Sequence, residues 1–234
     1  MRDAQRSADA ADEAAESLSA LVYARLRRAL MRAELKPLER LKIREIAQRM
    51  GTSETPVREA VMRLANEGAI EIKPRYYVRV RRLSVSGYTE IRDIRMHLEP
   101  LAAERALAHI VEDDIRHIAE RHAALVRAEA EGDWPTALQT NFDFHFGIYY
   151  KAQMPALIEL LESLWIRIGP LLSELYPHAP PTYQGRHQHE AVLEALRARD
   201  SYALREAVRM DLIEGGRNLC ERLETLEKAE TPQG

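Results

Sequence analysis

The stretch from Ile43 to Val80 constrains the fold of this 234-residue chain more than any other segment. Apolar residues recur there at helical spacing in two short segments, which are separated by Gly51, whose permissive backbone suits a tight turn. Pro56 fits the first turn of the second segment, because the N–H that it lacks has no helical partner there. β-Branched and aromatic residues around Pro74 then indicate a small hairpin. The pattern predicts a winged helix-turn-helix, whose second helix enters the major groove of DNA.

Charge is divided unevenly along the chain. From Ser17 to Arg82 there are 16 Lys or Arg residues against 7 Asp or Glu, a balance of +9. Residues Met1 to Glu16, which we interpret as a disordered tail, carry −3, and the chain from Leu83 onward carries −9. A basic block followed by an acidic one indicates a polyanion partner for the basic part.

Four residues of the two helices are the first candidates for contact with DNA. Arg44 lies near the start of the first helix and Arg58 near the start of the second, and arginine pairs with guanine edges or phosphate. Ser53 and Thr55, where the second helix begins, can donate to phosphate beside free backbone N–H groups. A basic helix pair taken alone is as often a solvated surface, but the wing and the local charge favour DNA binding.

This region resembles the winged helix-turn-helix of the GntR family of bacterial transcription regulators. The resemblance is carried by Glu45-Ile46-Ala47, by the run from Gly51 to Ala60 with its Thr-Pro-Val-Arg-Glu-Ala motif, and by Arg63-Leu64 and Glu67-Gly68. It implies a DNA-binding domain over residues 17–82 and a transcription regulator, more often a repressor. Because two half-sites multiply specificity, it also implies a homodimer on a double-stranded operator.

The sequence departs from the family pattern at two places. Glu54 stands where the family usually has an arginine that touches DNA, and its carboxylate can instead accept a hydrogen bond from the cytosine amino group. The wing tip, which usually carries glycine, reads Arg75-Tyr76-Tyr77. Lys73 and Arg75 there are candidates for contact with the minor groove or the DNA backbone.

The chain after the hairpin has the composition of a helical domain. We interpret Leu83–Gly87 as a linker and residues 88–228 as an all-helical bundle, because strand signals are absent and apolar residues keep helical spacing. The expected fold class is therefore mainly α. The predicted helices are Tyr88–His109, Asp113–Glu131, Pro135–Lys151, Pro155–Leu175, His187–Arg199 and Tyr202–Leu226.

Histidine and carboxylate residues of three predicted helices form a possible metal site. Asn141 lies four residues before His145 and shares its helix face, His189 opens a later helix, and Asp211 lies in the last one. Imidazole, carboxylate and amide oxygen together suit a divalent cation, although a histidine between Phe144 and Phe146 is more often a core residue. His187 is expected to lie off the face of His189 and not to ligate, though it could substitute. We interpret five other histidines as surface groups: His97, His109, His117, His122 and His178.

A second resemblance covers this region. The run from Ile91 to Ala103, Phe144-His145, His189, and Val192 to Leu196 are similar to the effector-binding domain of the FadR-type branch, the metal-containing FCD class. That class typically uses Asp, His, His and His as ligands. The matching positions here are Asn141, His145, His189 and Asp211. The resemblance implies a divalent metal, Zn or Ni, that forms part of a pocket for a small carboxylate effector.

The resemblance also points to a cation that would bind the effector's carboxylate. Arg95, in the family's Arg-x-x-Leu-Glu motif, is the first candidate, with Arg92 and Arg167 behind it and Tyr149 as a lining residue. For Arg95 the alternative is a structural ion pair with Glu99, four residues further along the helix.

Three functions are compared. The leading hypothesis is a ligand-responsive transcription regulator without enzymatic activity. A metal-dependent hydrolase with a DNA-binding appendage is the second, but the sequence shows no nucleophile motif and no separate general base at a suitable spacing. An architectural DNA protein is the third, and would bind without sequence preference. A single cysteine, Cys220, and the lack of any apolar run near 18 residues predict a cytoplasmic protein without a membrane span.

Overall fold

The computed structural model of the protein describes residues 18–182 and 186–230, so the predicted tail from Met1 to Glu16 lies outside the described residues. Within these ranges the chain forms nine α-helices, one 3-10 turn and a two-stranded sheet, which confirms the predicted mainly-α class. None of the described helices is both long and apolar enough to cross a membrane. The elements are α1 (residues 18–31), α2 (Ile43–Met50), α3 (Glu54–Asn66), β1 (Ile70–Lys73), β2 (Tyr77–Val80), α4 (Val85–Ala106), α5 (Glu112–Glu131), α6 (Trp134–Tyr149), the 3-10 turn (Tyr150–Ala152), α7 (Pro155–Leu172), α8 (Gln188–Ala198) and α9 (Ser201–Glu230).

Helices α2 and α3 and the hairpin form the predicted winged helix-turn-helix. Gly51 ends α2 in the left-handed conformation, with φ +64°, which explains why a glycine stands at the turn. Ser53 occupies the N-cap position of α3, but its side chain makes no capping hydrogen bond. Val57, Val61 and Leu64 of α3 are at most 2% exposed and belong to the main core. The opposite face of α3 is therefore left to solvent.

The wing is larger than the sequence predicts. Strands β1 and β2 pair antiparallel, with Ile70 opposite Val80 and Lys73 opposite Tyr77. The chain before α2 runs along the other edge of β2, where the Leu41 N–H donates to the carbonyl oxygen of Val78 at 2.8 Å. The strand pattern around Pro74 predicted only the hairpin and did not indicate this third segment.

The predicted linker Leu83–Gly87 is partly helical, because Val85–Gly87 form the first turn of α4. Leu83 is buried, Ser84 is the N-cap of α4, and its Oγ accepts a hydrogen bond from the backbone N–H of Gly87 at 3.1 Å. The backbone N–H of Val85 donates to Glu227 of α9 at 2.7 Å. The serines and the glycine that suggested a linker thus cap and begin a helix, since serine is a favoured cap.

The remaining helices form the predicted bundle. Helix α4 packs along α9, α5 along α6, and α8 against both α5 and α9. Gly216 of α9 lets Tyr88 of α4 approach closely, because a Cβ there would lie 2.2 Å from the tyrosine oxygen. These contacts bring α4, α6 and α9 together around the interior of the bundle.

The DNA-reading part and the bundle meet at a seam between α1 and helices α6 and α7. A Cβ at Gly169 of α7 would lie 2.2 Å from the backbone oxygen of Leu30, so the two backbones pack as closely as they can. Arg27 pairs with Glu162 at 2.9 Å, and Arg32 pairs with Asp143 at 2.5 Å. Residues of both parts belong to one continuous hydrophobic core.

Candidate functional sites

The candidate DNA-reading residues belong to α2, to the start of α3 and to the hairpin. Arg44 is on α2, and the others lie at the start of α3 and in the hairpin turn. Arg75 adopts a positive φ of +66°, the conformation that favours glycine, so an arginine side chain stands at a position that usually has none. The exposed candidates are Arg44, Ser53, Thr55, Arg58, Lys73 and Arg75, and Glu54 is half-buried.

Glu54 and Arg58 form an ion pair along α3. The Arg58 Nη2 donates to Oε2 of Glu54 at 2.7 Å, and both side chains remain accessible to solvent. An exposed pair of this kind contributes little to stability, so DNA can compete for both partners. The carboxylate of Glu54 can accept a hydrogen bond from the amino group of cytosine. The guanidinium of Arg58 can donate to O6 and N7 of guanine in the major groove.

A small polar cavity of about 60 Å³ lies inside the bundle, between α4, α6, α7 and α9. This volume matches roughly two water molecules of about 30 Å³ each. Its polar and charged lining includes Arg95, Asn141, His145, Trp165, His187 and Asp211.

Three of the four predicted metal ligands converge beside this cavity. His145 Nε2 lies 3.4 Å from Asp211 Oδ2, and His189 Nε2 lies 3.7 Å from Asp211 Oδ1. All three side chains are buried, and one donor atom from each lies within 4.8 Å of the others. The fourth residue, Asn141, lines the same cavity from α6. Three separate helices thus supply donors of the types that were predicted.

The electrostatics of this cluster suit a cation. Burial lowers the pKa of His145 to about 4 and holds that of His189 well below its ordinary value, so both imidazoles are neutral. Burial and, to a lesser extent, the charge of Glu99 raise the pKa of Asp211 to about 7. The two histidine contacts are longer than a normal N–H···O hydrogen bond and carry no compensating charge. A divalent ion would satisfy the carboxylate and both nitrogen lone pairs, so the donor set fits the predicted metal.

Glu99 is the centre of a buried network that extends beyond the ion pair with Arg95 suggested by the sequence. Its Oε1 accepts from Arg95 Nε at 2.6 Å and from the indole N–H of Trp165 at 2.7 Å. Its Oε2 accepts from the hydroxyl of Tyr149 at 2.8 Å. The Arg95 guanidinium also lies over the Trp165 ring, 4.6 Å from its centroid. The four-residue spacing of Arg95 and Glu99 was the signal for the pair, but no spacing indicated Trp165.

The predicted effector-binding residues lie at different places. Arg95 lines the cavity, while burial lowers its pKa and the charge of Glu99 more than offsets this, so it remains a cation. Tyr149 lies behind the cavity, with its hydroxyl 3.3 Å from Nδ1 of His145. Arg92 contacts Asp93 and Cys220, and Arg167 lies at the seam beside Gly68. Neither of these two arginines is among the described residues that line the cavity.

One histidine assignment is wrong. His122 is half-buried, and its ring centroid lies 4.9 Å from that of His187 and 5.4 Å from that of His189. The charged neighbours of His122 along α5 gave it the pattern of a surface residue, but α8 packs against α5 there. The other four histidines assigned to the surface are exposed: His97, His109, His117 and His178.

A winged helix-turn-helix packed against a helical bundle with a buried polar cavity defines a class of DNA-binding regulators with a sensing body. Residues 18–80 match the family described as bacterial regulatory proteins of the gntR family, and residues 90–213 match the FCD domain. The chain belongs to the GntR family, in the FadR-type branch that carries an FCD domain. Both resemblances noted in the sequence are thereby confirmed.

The chain is similar to named regulators over most of its length. It is 32% identical to the HTH-type transcriptional regulator McbR of Escherichia coli K12 over 194 residues, 82% of this chain and 88% of McbR. It is 25% identical to the E. coli HTH-type transcriptional repressor RspR, over 82% of this chain and 85% of RspR. Its similarity to the solved structure of E. coli McbR/YncC has a TM-score of 0.76 at 29% identity, covering 92% of this chain and 99% of that one. A putative GntR regulator from Rhodococcus sp. RHA1, with a TM-score of 0.67 at 19% identity over 92% of this chain and 100% of its own, shares the fold.

Proposed function

We propose that this chain is a repressor whose affinity for its operator is set by a small organic acid bound beside a divalent metal in the bundle. One observation carries the proposal. The cavity has a buried cation, Arg95, on one side and the donors His145 and Asp211 on another, so it can hold the two oxygens of a carboxylate between two positive charges. Such a site selects small anions.

His145, His189 and Asp211 are the residues that would hold the metal, with Asn141 as a neutral oxygen donor, directly or through water. Imidazole-rich sites favour Zn or Ni over Mg or Ca. When bound, the ion supplies a fixed positive charge with a coordination position open to the effector. Tyr149 orients His145 from behind, and such supporting contacts tune the affinity of a metal site.

The position of the cavity supports a role in switching. Helix α6 carries both His145, which lines the cavity, and Asp143, which pairs with Arg32 of the DNA-reading part. Helix α7 carries both Trp165, which lines the cavity, and Gly169, which packs on α1. Two of the four helices that border the cavity therefore also form the seam, so an effector that moves either helix would act on the DNA-reading part.

The capped first turn of α4 supports a switch in which movement of the bundle reaches the DNA-reading part through packed side chains, not through a flexible linker. In a homodimer, a shift of each bundle would change the spacing and angle of the two reading heads. A coupling free energy of about 1–3 kcal/mol is sufficient for a useful switch. On the operator, α3 would present Arg58 and Glu54 to base edges and Ser53 and Thr55 to phosphates. Arg44 and the wing residues Lys73 and Arg75 would add contacts.

The test is operator binding by the full chain, loaded with Zn or Ni, with and without a panel of short mono- and dicarboxylic acids. We expect at least one acid to change operator affinity several-fold while leaving binding to scrambled DNA unchanged. Arg95→Lys, which keeps the charge but shortens and reshapes its hydrogen-bonding end, should lose the acid response and retain operator binding. Arg92→Lys is the matched control, because Arg92 lies one helical turn away and outside the cavity lining.

Two results would overturn the proposal. Consumption of the acid during the assay would favour the hydrolase, because a regulator binds its effector without turnover. Binding to scrambled DNA as tight as binding to the operator, unaffected by every acid, would favour an architectural protein.

A further inference from the structure

A second cluster of imidazoles lies next to the predicted metal ligands. His122 of α5, His187 at the start of α8 and His189 of α8 bring one donor atom each to within 4.8 Å of one another. The ring centroids of His187 and His189 are 4.3 Å apart. Only His189 belongs to both clusters, so His122 and His187 are donors outside the set that the family resemblance implies.

Two nitrogens of this cluster, one on His122 and one on His189, have unmet bonding capacity among the described residues. Nδ1 of His189 and Nδ1 of His122 are inaccessible to solvent and have no hydrogen-bond partner among the described residues. Such orphaned buried polar atoms are rare in folded proteins. The His189 side chain is 1% exposed, and Phe144 stacks on its ring at 3.7 Å, which limits its rotation. An ion held between the rings would satisfy these lone pairs.

The surroundings of the cluster suit metal ligation. The three imidazole rings lie against one another where α5 meets the start of α8, and imidazole nitrogen is a common ligand of transition-metal ions. Asp211 and His145 face His189 from the other cluster.

We propose that His122, His187 and His189 form a second metal site, an all-imidazole site for a transition-metal ion such as Zn, Ni or Cu. Its neutral nitrogen donors exclude Mg and Ca as preferred ions. His189 is shared by the two sites: its Nε2 lies 3.7 Å from Asp211, and its Nδ1 has no hydrogen-bond partner among the described residues. Because a neutral imidazole has a single lone pair, His189 ligates one ion or the other, and would hold both only as an imidazolate that has released its N–H proton to solvent. The proposal does not depend on the effector or on DNA binding.

Occupancy of this site is linked to the start of α8. His187 is the N-cap of α8, and its Nδ1 accepts a hydrogen bond from the backbone N–H of His189 at 3.1 Å. A neutral imidazole has one N–H and one lone pair, so ligation through either nitrogen removes that acceptor. Metal binding by His187 at the second site therefore breaks the capping hydrogen bond at the start of α8 and forms a coordination bond in its place.

The experiment separates the two sites by disabling the first. The full-length His145→Gln/Asp211→Asn double variant keeps side-chain volume and removes the strong donors of the first cluster. After chelation and dialysis, it is titrated with Zn²⁺ alone and, in parallel, with Co²⁺, whose visible spectrum reports nitrogen ligation. We expect about one ion per chain, with bands typical of imidazole ligands. Amide hydrogen exchange at His189 should accelerate when the ion binds.

Adding His122→Ala to that double variant should weaken Zn²⁺ binding by at least roughly tenfold. Loss of a residue that only hydrogen-bonds to a ligand already lowers metal affinity by about tenfold, and loss of a ligand should lower it by no less. His117→Ala in the same background is the matched control, because His117 lies on α5 but is exposed. Circular dichroism verifies folding, and His122→Asn replaces the alanine variant if that one does not fold. The proposal is overturned if the double variant binds no metal, or if removing His122 and removing His117 have equal effects.

Discussion

The DNA-reading surface and the cavity of the bundle use similar residue types in opposite ways. The arginine and lysine side chains of the reading surface are exposed, and among the described residues Arg58 pairs with its helical neighbour Glu54 alone. Those of the cavity are removed from water, with Arg95 5% and Glu99 0% exposed, and each depends on partners from other helices. Because desolvation of a charge is costly, the cavity residues are also structural, whereas those of the reading surface are not.

The difference predicts where substitutions act. A change on the reading surface should alter DNA binding and leave the free energy of unfolding nearly unchanged. A change in the cavity should lower the free energy of unfolding even when no ligand is present. Each prediction below tests one side of this contrast.

The largest effect is expected for Glu99→Ala. It removes the acceptor shared by Arg95, Trp165 and Tyr149 and leaves a buried guanidinium without its partner, which should lower the free energy of unfolding by about 3–5 kcal/mol. Urea denaturation measures the loss. Glu104→Ala is the control on the same helix, because the partly exposed Glu104–Arg205 pair should contribute no more than about 1 kcal/mol. Equal losses in the free energy of unfolding for the two variants would show that the buried charges of the cavity contribute no more to stability than an exposed pair.

Metal removal should have the next largest effect. At a free metal concentration about a hundred times the Kd, the bound ion stabilises the native state by roughly 2.7 kcal/mol. Thermal unfolding before and after treatment with a chelator measures this difference. The Asp211→Asn variant should show a smaller shift, since it loses the only anionic donor of the first cluster. Superimposable curves for the wild-type protein would count against the metal.

Gly169→Ala tests the seam that joins the two regions. The added methyl group would meet the backbone oxygen of Leu30, which cannot move without shifting α1, and overpacking of this kind costs about 1–3 kcal/mol. Gly147→Ala in α6 is the matched control, because its Cβ would lie 3.6 Å from a side-chain atom of Ile118, an ordinary contact. Denaturation should separate the two variants, and the acid response should weaken only in Gly169→Ala.

Arg58→Ala should affect only DNA binding. Loss of an arginine contact with a base edge costs about 1–3 kcal/mol, a roughly tenfold to hundredfold loss of affinity for the operator. The melting temperature should stay the same, because Arg58 is exposed and its one ion pair within the described part of the chain is the exposed pair with Glu54. Fluorescence anisotropy gives the affinity, with Arg116→Ala, an exposed arginine of the bundle, as the control. A drop in stability would place Arg58 with the structural residues instead.

The smallest effect is expected for Lys73→Ala at the end of the wing strand. Lys73 is exposed, and a phosphate contact would be lost equally on every sequence, so operator preference should not change. The slope of log affinity against log salt should fall by about 1. A change in base preference without a change in slope would assign Lys73 to base reading.

Much of the reading surface could be predicted from the sequence, because its signals are local. The turn at Gly51, the proline in the first turn of α3 and the hairpin around Pro74 each depend on residues a few positions apart. The start of α4 within the predicted linker Leu83–Gly87 could not be predicted from local signals. Serine and glycine favour both loops and helix starts, and the buried Leu83 and the distant Glu227 decide between them.

The cavity could be predicted only as a set of residue types. Helical spacing assigned Asn141 and His145 to one face, but nothing local indicated that Trp165 would donate to Glu99 or that His122 would lie against α8. These contacts join residues 50 or more positions apart, so they depend on how the helices pack and not on which face each helix buries.

By itself, the sequence determined the helices, the winged reading head, the separation of basic and acidic charge, and the family. The tertiary structure alone decided which histidines meet, that Arg95 and Glu99 are both buried, and that α1 packs on Gly169. The physical reason is the separation along the chain of the residues on which each feature depends. Backbone turns and helical faces follow from neighbouring residues, whereas a buried cluster of charges exists only where several helices together exclude water and supply every partner.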